Sequence, residues 1–350
     1  MTGEKRKRRS GVPTIADVAR LAGVSQMTVS RVINGESNVR AETRDVVNAA
    51  IRQLDYSPNP AARRLAGVAQ VRIGLLFSNP SEAYLSAFLL GSLDQAGQSD
   101  IQLVVQKCEL DDHERDVTER LVRGGIDGII LPPPLCDSPA VLDVLLAADI
   151  PTVVVATSAS PPQAGAVAID DRAAAQAMTE HLLTLGHRRI GFIKGNDNIH
   201  ASAERLAGYR DALTAAGVTP DESLVARGLY DYRSGLAAAE ALLDRAEPPT
   251  AIFASNDDMA AASVAVAHRR GLDVPRDLTV CGFDDSALAT TIWPELTTIR
   301  QPIADMSRAA VRLLATMLAE RREGGRAAAR QVTLDYTLVR RRSDAPPRRG

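Results

Sequence analysis

Residues 14–34 read Thr14-Ile15-Ala16-Asp17-Val18-Ala19-Arg20-Leu21-Ala22-Gly23-Val24-Ser25-Gln26-Met27-Thr28-Val29-Ser30-Arg31-Val32-Ile33-Asn34. Thr14 is a good N-cap, and Asp17 stands where a carboxylate can answer the first-turn amides. Ile15, Val18, Ala19 and Ala22 follow at helical spacing and form one apolar face. Gly23 ends that helix and supplies a tight turn. Ser25 caps a second helix from Gln26 to about Asn34, with Val29, Val32 and Ile33 facing inward. Ala41–Leu54 then reads as a third helix whose apolar side holds Val46, Val47, Ala50, Ile51 and Leu54. Two short helices joined by a Gly-containing turn predict a helix-turn-helix, which sets the start of its second helix against base edges in the major groove.

The polar side of the second helix suits that task. Gln26 can pair bidentately with adenine, Arg31 can reach guanine or phosphate, and Met27 can meet a thymine methyl. Thr14, Thr28, Ser30 and Asn34 are short polar groups fit for phosphate contact. No acidic residue falls between Gln26 and Asn34, which argues against a plain packing unit. Charge is distributed accordingly. Residues 1–64 carry twelve Lys and Arg against six Asp and Glu, while the 350-residue chain as a whole is net −2. A basic head on an acidic body predicts a polyanionic partner for the head alone.

Composition bounds the remaining choices. With 45% hydrophobic and 24% charged residues, the chain reads as globular and long enough for more than one core. No apolar run approaches a membrane span. Met1–Arg9 leads into Ser10-Gly11-Val12-Pro13 rather than an apolar stretch, so no secretory signal is expected. Cys108, Cys136 and Cys281 are scattered and odd in number, as reduced thiols of a cytoplasmic, nucleoid-associated protein would be. No P-loop, zinc spacing or nucleophile elbow is present, so no catalytic residue, metal or cofactor is expected. His181 and His187 stand six positions apart, off any shared helix face, and read as structural.

From Val71 onward, apolar runs alternate with amphipathic stretches. Strands are predicted at Val71–Phe77, Ile101–Gln106, Gly128–Leu131, Pro151–Val155, Ala166–Ile169, Arg189–Lys194, Ala251–Ala254 and Val280–Phe283. This alternation predicts parallel sheets flanked by helices, with a ligand beyond the carboxyl ends of the strands. Polar residues gather there: Ser78, Asn79 and Glu82, Asp170 and Asp171, Arg205, Asn256 with Asp257, Asp284 with Asp285, and Gln301. Carboxylate, amide and guanidinium groups of this kind suit the hydroxyl pairs of a sugar. Asp257 and Asp285 read as helix caps. Trp293 either lines a cleft or packs nearby. Between the two regions, Asn59 can cap a short helix begun by Pro60 and closed by Gly67. Seven residues are too few for a stable isolated helix, so folding coupled to docking is plausible. Leu65 in it reads as covering the core of a neighbouring lobe.

The segments Thr14–Asn34 and Leu54-Asp55-Tyr56-Ser57-Pro58-Asn59-Pro60-Ala61-Ala62-Arg63-Arg64-Leu65-Ala66-Gly67 closely resemble the lactose/galactose repressor (LacI/GalR) family. The resemblance continues to about residue 342. It implies an all-α helix-turn-helix head followed by an α/β, two-lobed, periplasmic-binding-protein-like domain with Rossmann-like parallel sheets. It implies that hinge helices pair in the minor groove with Leu65 as the wedge beside Ala62 and Asn59. It implies that Arg205, Asn256 and Asp284 grip an effector and that Tyr230 forms an aromatic wall. Glu180–Arg189 resembles a recurrent structural signature of the family. The chain departs from the lactose repressor at Ala156-Thr157 and at Leu131-Pro132-Pro133-Pro134-Leu135, so that protein's ligand does not carry over.

The expected organisation is a disordered basic arm over 1–12, a reading head over 13–59 and a hinge over 60–69. An effector and dimerisation domain follows over 70–342, then a disordered tail over 343–350. The first lobe takes about 70–170 plus 301–328, and the second about 171–299 plus 329–342. Leucine heptads that build tetramers are absent, so a homodimer is expected, with the apolar helix near 83–97 partly facing the other subunit. The function expected is repression from a palindromic operator on double-stranded DNA, released by a sugar or sugar derivative, with no membrane partner. A purine or nucleoside co-repressor stays open within the same class. A sugar-binding transport protein shares the two-lobed design but would lack a reading head.

Overall fold

The computed structural model describes residues 14–33, 39–54, 70–109, 113–157, 161–324 and 330–348. Asn34, Asn59, Ala62, Leu65, the arm over 1–12 and the linker over 60–69 lie outside the described residues. The chain divides into two compact units, Met1–Gln70 and Val71–Gly350.

The first unit holds α1 (Ile15–Ala22), α2 (Gln26–Ile33) and α3 (Ala41–Gln53). The Asp17 carboxylate accepts from the Thr14 backbone N–H at 3.0 Å and from the Thr14 hydroxyl at 2.7 Å. Gly23 adopts φ 68°, a left-handed turn that glycine enters at least cost. The Ser25 hydroxyl accepts from the Thr28 backbone N–H at 3.1 Å and caps α2. Val18, Ala19, Ala22, Val29, Val32, Val47 and Ala50 form the core. Val46, expected on the apolar side of α3, is instead exposed, because the helix turns Val47 and Ala50 inward.

The second unit contains two six-stranded sheets, each with helices packed against it. In the first, β1 (Val71–Phe77), β2 (Ile101–Lys107), β3 (Gly128–Leu131), β4 (Thr152–Val155) and β5 (Gly165–Ala168) are joined by α4 (Glu82–Gly97), α5 (Glu114–Arg123) and α6 (Pro139–Ala147). The chain then enters the second lobe through α7 (Asp171–Thr184), β6 (Ile190–Lys194), α8 (His200–Ala215), β7 (Val225–Arg227) and α9 (Tyr232–Leu243). It continues through β8 (Ala251–Ala254), α10 (Asp257–Arg269), β9 (Thr279–Asp284), α11 (Leu288–Thr291) and β10 (Thr297–Arg300). It returns along α12 (Ile303–Arg322), places β11 (Gln331–Thr333) in the first sheet, and crosses again to β12 (Thr337–Val339) in the second. Strand orders are β11-β5-β4-β3-β1-β2 and β12-β10-β9-β8-β6-β7, parallel in every pair except β10 with β12. The central strands β3, β4 and β8 are buried throughout, as strands covered on both faces must be.

Two expectations about the chain's end are corrected. Residues 331–333 belong to the first lobe rather than the second, because Gln331 to Thr333 pair with Ala166 to Ala168. Ser343 to Arg348 is not a disordered tail. Ser343 is fully buried, its hydroxyl donating to Val280 O at 2.5 Å and accepting from Thr297 N–H at 2.8 Å. His181 donates to Asp344 at 2.8 Å, and His187 donates to Ala345 O at 2.9 Å while its Nδ1 lies 2.8 Å from the Thr250 hydroxyl. The two histidines are structural because they anchor this segment. Burial holds the His187 pKa below its ordinary value, favouring the neutral ring that this pairing needs. Trp293 does not line the cleft and packs on the surface instead. It is 68% exposed, with the Arg342 guanidinium 5.4 Å from its ring centre. Leu90 and Leu93 of α4 are also exposed.

Deleting residues 343–350 is expected to cost about 3 kcal/mol, since several buried hydrogen bonds at about 1 kcal/mol each are lost together. The melting temperature should fall by several degrees in differential scanning calorimetry. An unchanged melting temperature would show that the segment contributes nothing to the fold.

Candidate functional site

The described structure offers two surfaces with chemistry. The first is the outer face of α2. Gln26, Met27 and Arg31 are exposed there, and Met27, a large apolar side chain, is 65% exposed. No acidic side chain occupies the first turn of α2. Its N-terminal partial positive charge therefore meets no internal carboxylate on that helix, a favourable setting for phosphate. Thr14 is exposed, while Thr28 and Ser30 are half-buried. The hydroxyls of Thr14 and Thr28 already bond to Asp17 and Ser25, at 2.7 and 2.9 Å.

The second surface is a narrow cleft at the carboxyl ends of both sheets. The first lobe contributes Asn79, Pro80, Ser81, Tyr84, Pro133 and Ala156. The second contributes Ile199, Ala201, Arg205, Tyr230, Asn256 and Asp284, and Gln301 lines it from the crossover after β10. Thus Asn79, Arg205, Tyr230, Asn256, Asp284 and Gln301 of the expected set come together. Ser78 and Glu82 do not line the cleft. Ser78 comes directly after β1 and is half-buried, and Glu82 is exposed on the first turn of α4. The turn between them aims Ser81 and Tyr84 inward instead.

Arg205 is the centre of the cleft's charge arrangement. Its Nε donates to Asp171 Oδ1 at 2.8 Å and its Nη1 to Ser255 O at 2.6 Å. The guanidinium lies over the Phe283 ring, 3.6 Å from its centre. Arg205 is 4% exposed, so this charge exists only because it is matched. Burial raises the Asp171 pKa, with Arg205 opposing. Burial also raises Asp284 well above the ordinary carboxylate range, again against Arg205. Asp257, behind them, is pushed up to about 7 by burial despite hydrogen bonds from Thr298 and Ser286.

The helix caps differ from expectation. Asn256, not Asp257, caps α10, accepting from Met259 N–H at 3.0 Å and donating to Tyr230 O at 2.9 Å. Asp257 instead bonds Thr298 and Ser286 and ties α10 to β10. Asp285 pairs with Arg300 and Arg341 at 2.6 Å each. Tyr230 holds φ 65°, its ring lies where a Cβ on residue 195 would fall 2.1 Å away, and its hydroxyl bonds Ser202 at 2.8 Å. Only glycine at position 195 leaves room for that ring. Across the cleft mouth, Ser81 donates to Asp258 at 2.7 Å and His200 N–H donates to Asp137 at 2.9 Å, so the two lobes touch directly.

Pro133 lines the cleft within the stretch expected to reshape its wall, whereas sequence reasoning missed Ser81 and Tyr84 as cleft groups. Their signal lay in the offset of three from Ser81 to Tyr84, which places both on one side of a helix begun just past β1.

Residues 14–59 match the model of the bacterial regulatory proteins, lacI family, and residues 179–343 match that of the periplasmic binding protein-like domain. The catabolite control protein A of Priestia megaterium is 36% identical over 303 residues, covering 86% of this chain and 91% of that one. The solved transcriptional regulator CelR–cellobiose complex superposes with TM-score 0.73 at 33% identity, covering 95% of this chain and 99% of that one. The lac repressor dimer bound to operator and the anti-inducer ONPF superposes with TM-score 0.71 at 29% identity, covering 96% and 100%.

Arg205→Ala is expected to destabilise the second unit by about 3–5 kcal/mol in urea unfolding, because Asp171 is left buried and unpaired. Arg205→Met with Asp171→Leu should recover most of that loss. A single-variant loss below about 1 kcal/mol would show that the pair is not a structural keystone.

Proposed function

The chain belongs to the lacI family of bacterial regulatory proteins, and from that premise we propose that it is a homodimeric operator-binding repressor released by a carbohydrate effector. The observation that carries the effector class is the cleft. It is shared by two lobes and lined by amide, hydroxyl and carboxylate groups around a single guanidinium. Such a wall meets the hydroxyl pairs of a sugar while Tyr230, Pro80 and Ile199 supply apolar surface for its ring. Relatives support the reading, since CelR is solved with cellobiose and the lac repressor as a dimer on operator.

The reading assigns Gln26, Met27 and Arg31 to base edges, and Thr14, Thr28, Ser30 and Asn34 to phosphates. Asn59, Ala62 and Leu65 belong to the hinge, whose helix forms only on DNA and kinks the operator centre. Arg205, Tyr230, Asn256, Asp284, Gln301 and Asn79 hold the effector. Binding alters the angle between lobes, and the hinges of the dimer part. A differential affinity of 1–3 kcal/mol, or about 5–150-fold, suffices for such a switch. The protein acts in the cytoplasm on nucleoid DNA, with no catalytic step.

Arg31→Ala is expected to weaken binding to an operator selected from random duplexes by roughly tenfold or more, consistent with about 1–3 kcal/mol for one good base contact. Binding to unrelated DNA should fall much less. Fluorescence anisotropy measures both, and equal affinity of variant and parent for the selected operator would remove α2 from the role of reader.

A further inference from the structure

The described helices of the first unit carry little net charge for a polyanionic partner. In α1, Asp17 and Arg20 pair at 3.0 Å. Hydrogen bonds from the Thr14 hydroxyl and N–H hold the Asp17 carboxyl below its ordinary range. A negative charge therefore stands in the first turn of α1 and offsets the positive end of that helix. In α2, Arg31 is the one charged residue. Arg40, Arg44 and Arg52 stand in or beside α3, against Glu42 and Asp45. Among the described residues of this unit, five arginines are thus set against three carboxylates.

Most of the positive charge lies ahead of those helices. Lys5, Arg6, Lys7, Arg8 and Arg9 stand consecutively, preceded by Glu4. These six residues supply four of the six net positive charges of residues 1–64. The chain totals −2, so the part beyond residue 64 is net −8. A body of that sign repels DNA, and cations beside the duplex must outweigh it locally. Each phosphate neutralised adds about 0.9 to the slope of log affinity against log salt. Five cations therefore contribute roughly 4–5 to that slope, against about 1 for Arg31 alone. Position also favours the duplex. The cap residue Thr14 has extended backbone, φ −115° and ψ 164°. The first helix of a helix-turn-helix crosses the DNA backbone while the second lies in the major groove. Arg9 stands five residues before Thr14, and Lys5 nine. At no more than about 3.6 Å per residue they reach at most roughly 18 and 32 Å, or about five to nine base pairs along the duplex.

We propose that residues 5–9 form a second DNA contact, on the phosphates of the duplex flanking each half-site. This contact sets affinity and its salt dependence, while α2 sets sequence choice. The inference rests on the operator-binding reading above and adds to it a surface that the reading helix and the hinge do not supply. Phosphates carry no base identity, so the contact strengthens binding to every duplex equally.

The test compares the full chain with a variant carrying Lys5→Gln, Arg6→Gln, Lys7→Gln, Arg8→Gln and Arg9→Gln. The probes are an operator duplex selected from random sequence and a scrambled duplex. Each is made either flush with the half-sites or extended about ten base pairs past them. Fluorescence anisotropy gives Kd between about 50 and 200 mM salt. On extended duplexes the variant should bind more weakly, with a salt slope lower by about four per protomer, so its gap to the parent narrows by on the order of a hundredfold across that range. The ratio of operator to scrambled affinity should stay the same, and on flush duplexes parent and variant should bind nearly alike. A second variant, Arg6→Lys, Arg8→Lys and Arg9→Lys, should keep the parent's slope, because a phosphate accepts either cation. Equal slopes for parent and glutamine variant overturn the proposal. So does a lysine variant as weak as the glutamine one, which would show that charge is not what acts. Tighter DNA binding by the glutamine variant also overturns it, and would place residues 5–9 on the acidic body instead. A parent that binds no selected duplex contradicts the operator-binding reading itself, and this inference with it.

Discussion

A single buried guanidinium organises the sensing unit. Arg205, on the first turns of α8, reaches Asp171 at the start of α7, the Ser255 carbonyl beyond β8 and the face of Phe283 in β9. Four elements of the second lobe therefore converge on one charge. Remove that charge and the buried carboxylate of Asp171 loses its partner, which folding would not tolerate without protonation. The same arrangement defines what the cleft can accept. A charge already satisfied by the fold leaves hydrogen bonding, rather than net attraction, as the currency of recognition.

Topology makes this charge cluster useful. The sheets are joined by three chain crossings, after β5, after β10 and after β11, and their carboxyl ends meet at the cleft. Ligands of open α/β sheets bind at such ends. Ser81 with Asp258, and Asp137 with His200, join the lobes across the mouth. An effector that lengthened or replaced those bonds would change the angle between lobes, because the crossings are the covalent links between them. The C-terminal segment bears on the second lobe as well. Ser343 bonds Val280 of β9 and Thr297 of β10 directly, and His181 and His187 hold Asp344 and Ala345, so the strand that carries Asp284 is buttressed from outside.

Much of this was legible in sequence because the signals were local and periodic. Helix caps, a turn glycine and apolar spacing defined α1 and α2 almost to the residue. The long apolar strands were equally plain. What escaped depended on contacts distant in sequence. Short β7, β11 and β12 bury little of their own surface and pair by position in the chain's return path. The Pro- and Arg-rich end reads as disorder by composition, yet Ser343 and Asp344 find partners more than forty residues away at Thr297 and His181. Asp257 resembles a cap, but Asn256 takes that role and leaves Asp257 to bind Thr298. Within the cleft, Asn256, Asp284 and Gln301 stand at or just past recognisable strand ends, while Arg205 lies within α8. Tyr84 and Ser81 do not stand there, because they sit at the cap and first turn of α4, beyond the strand end.

The central claim is that cleft occupancy and operator binding are thermodynamically coupled. The most direct test is a reciprocal titration: Kd for the activating sugar with and without saturating operator duplex, and Kd for the operator with and without saturating sugar. Coupling predicts that both ratios are equal and lie between about 5 and 150. Identical sugar affinity in the presence and absence of operator would contradict it.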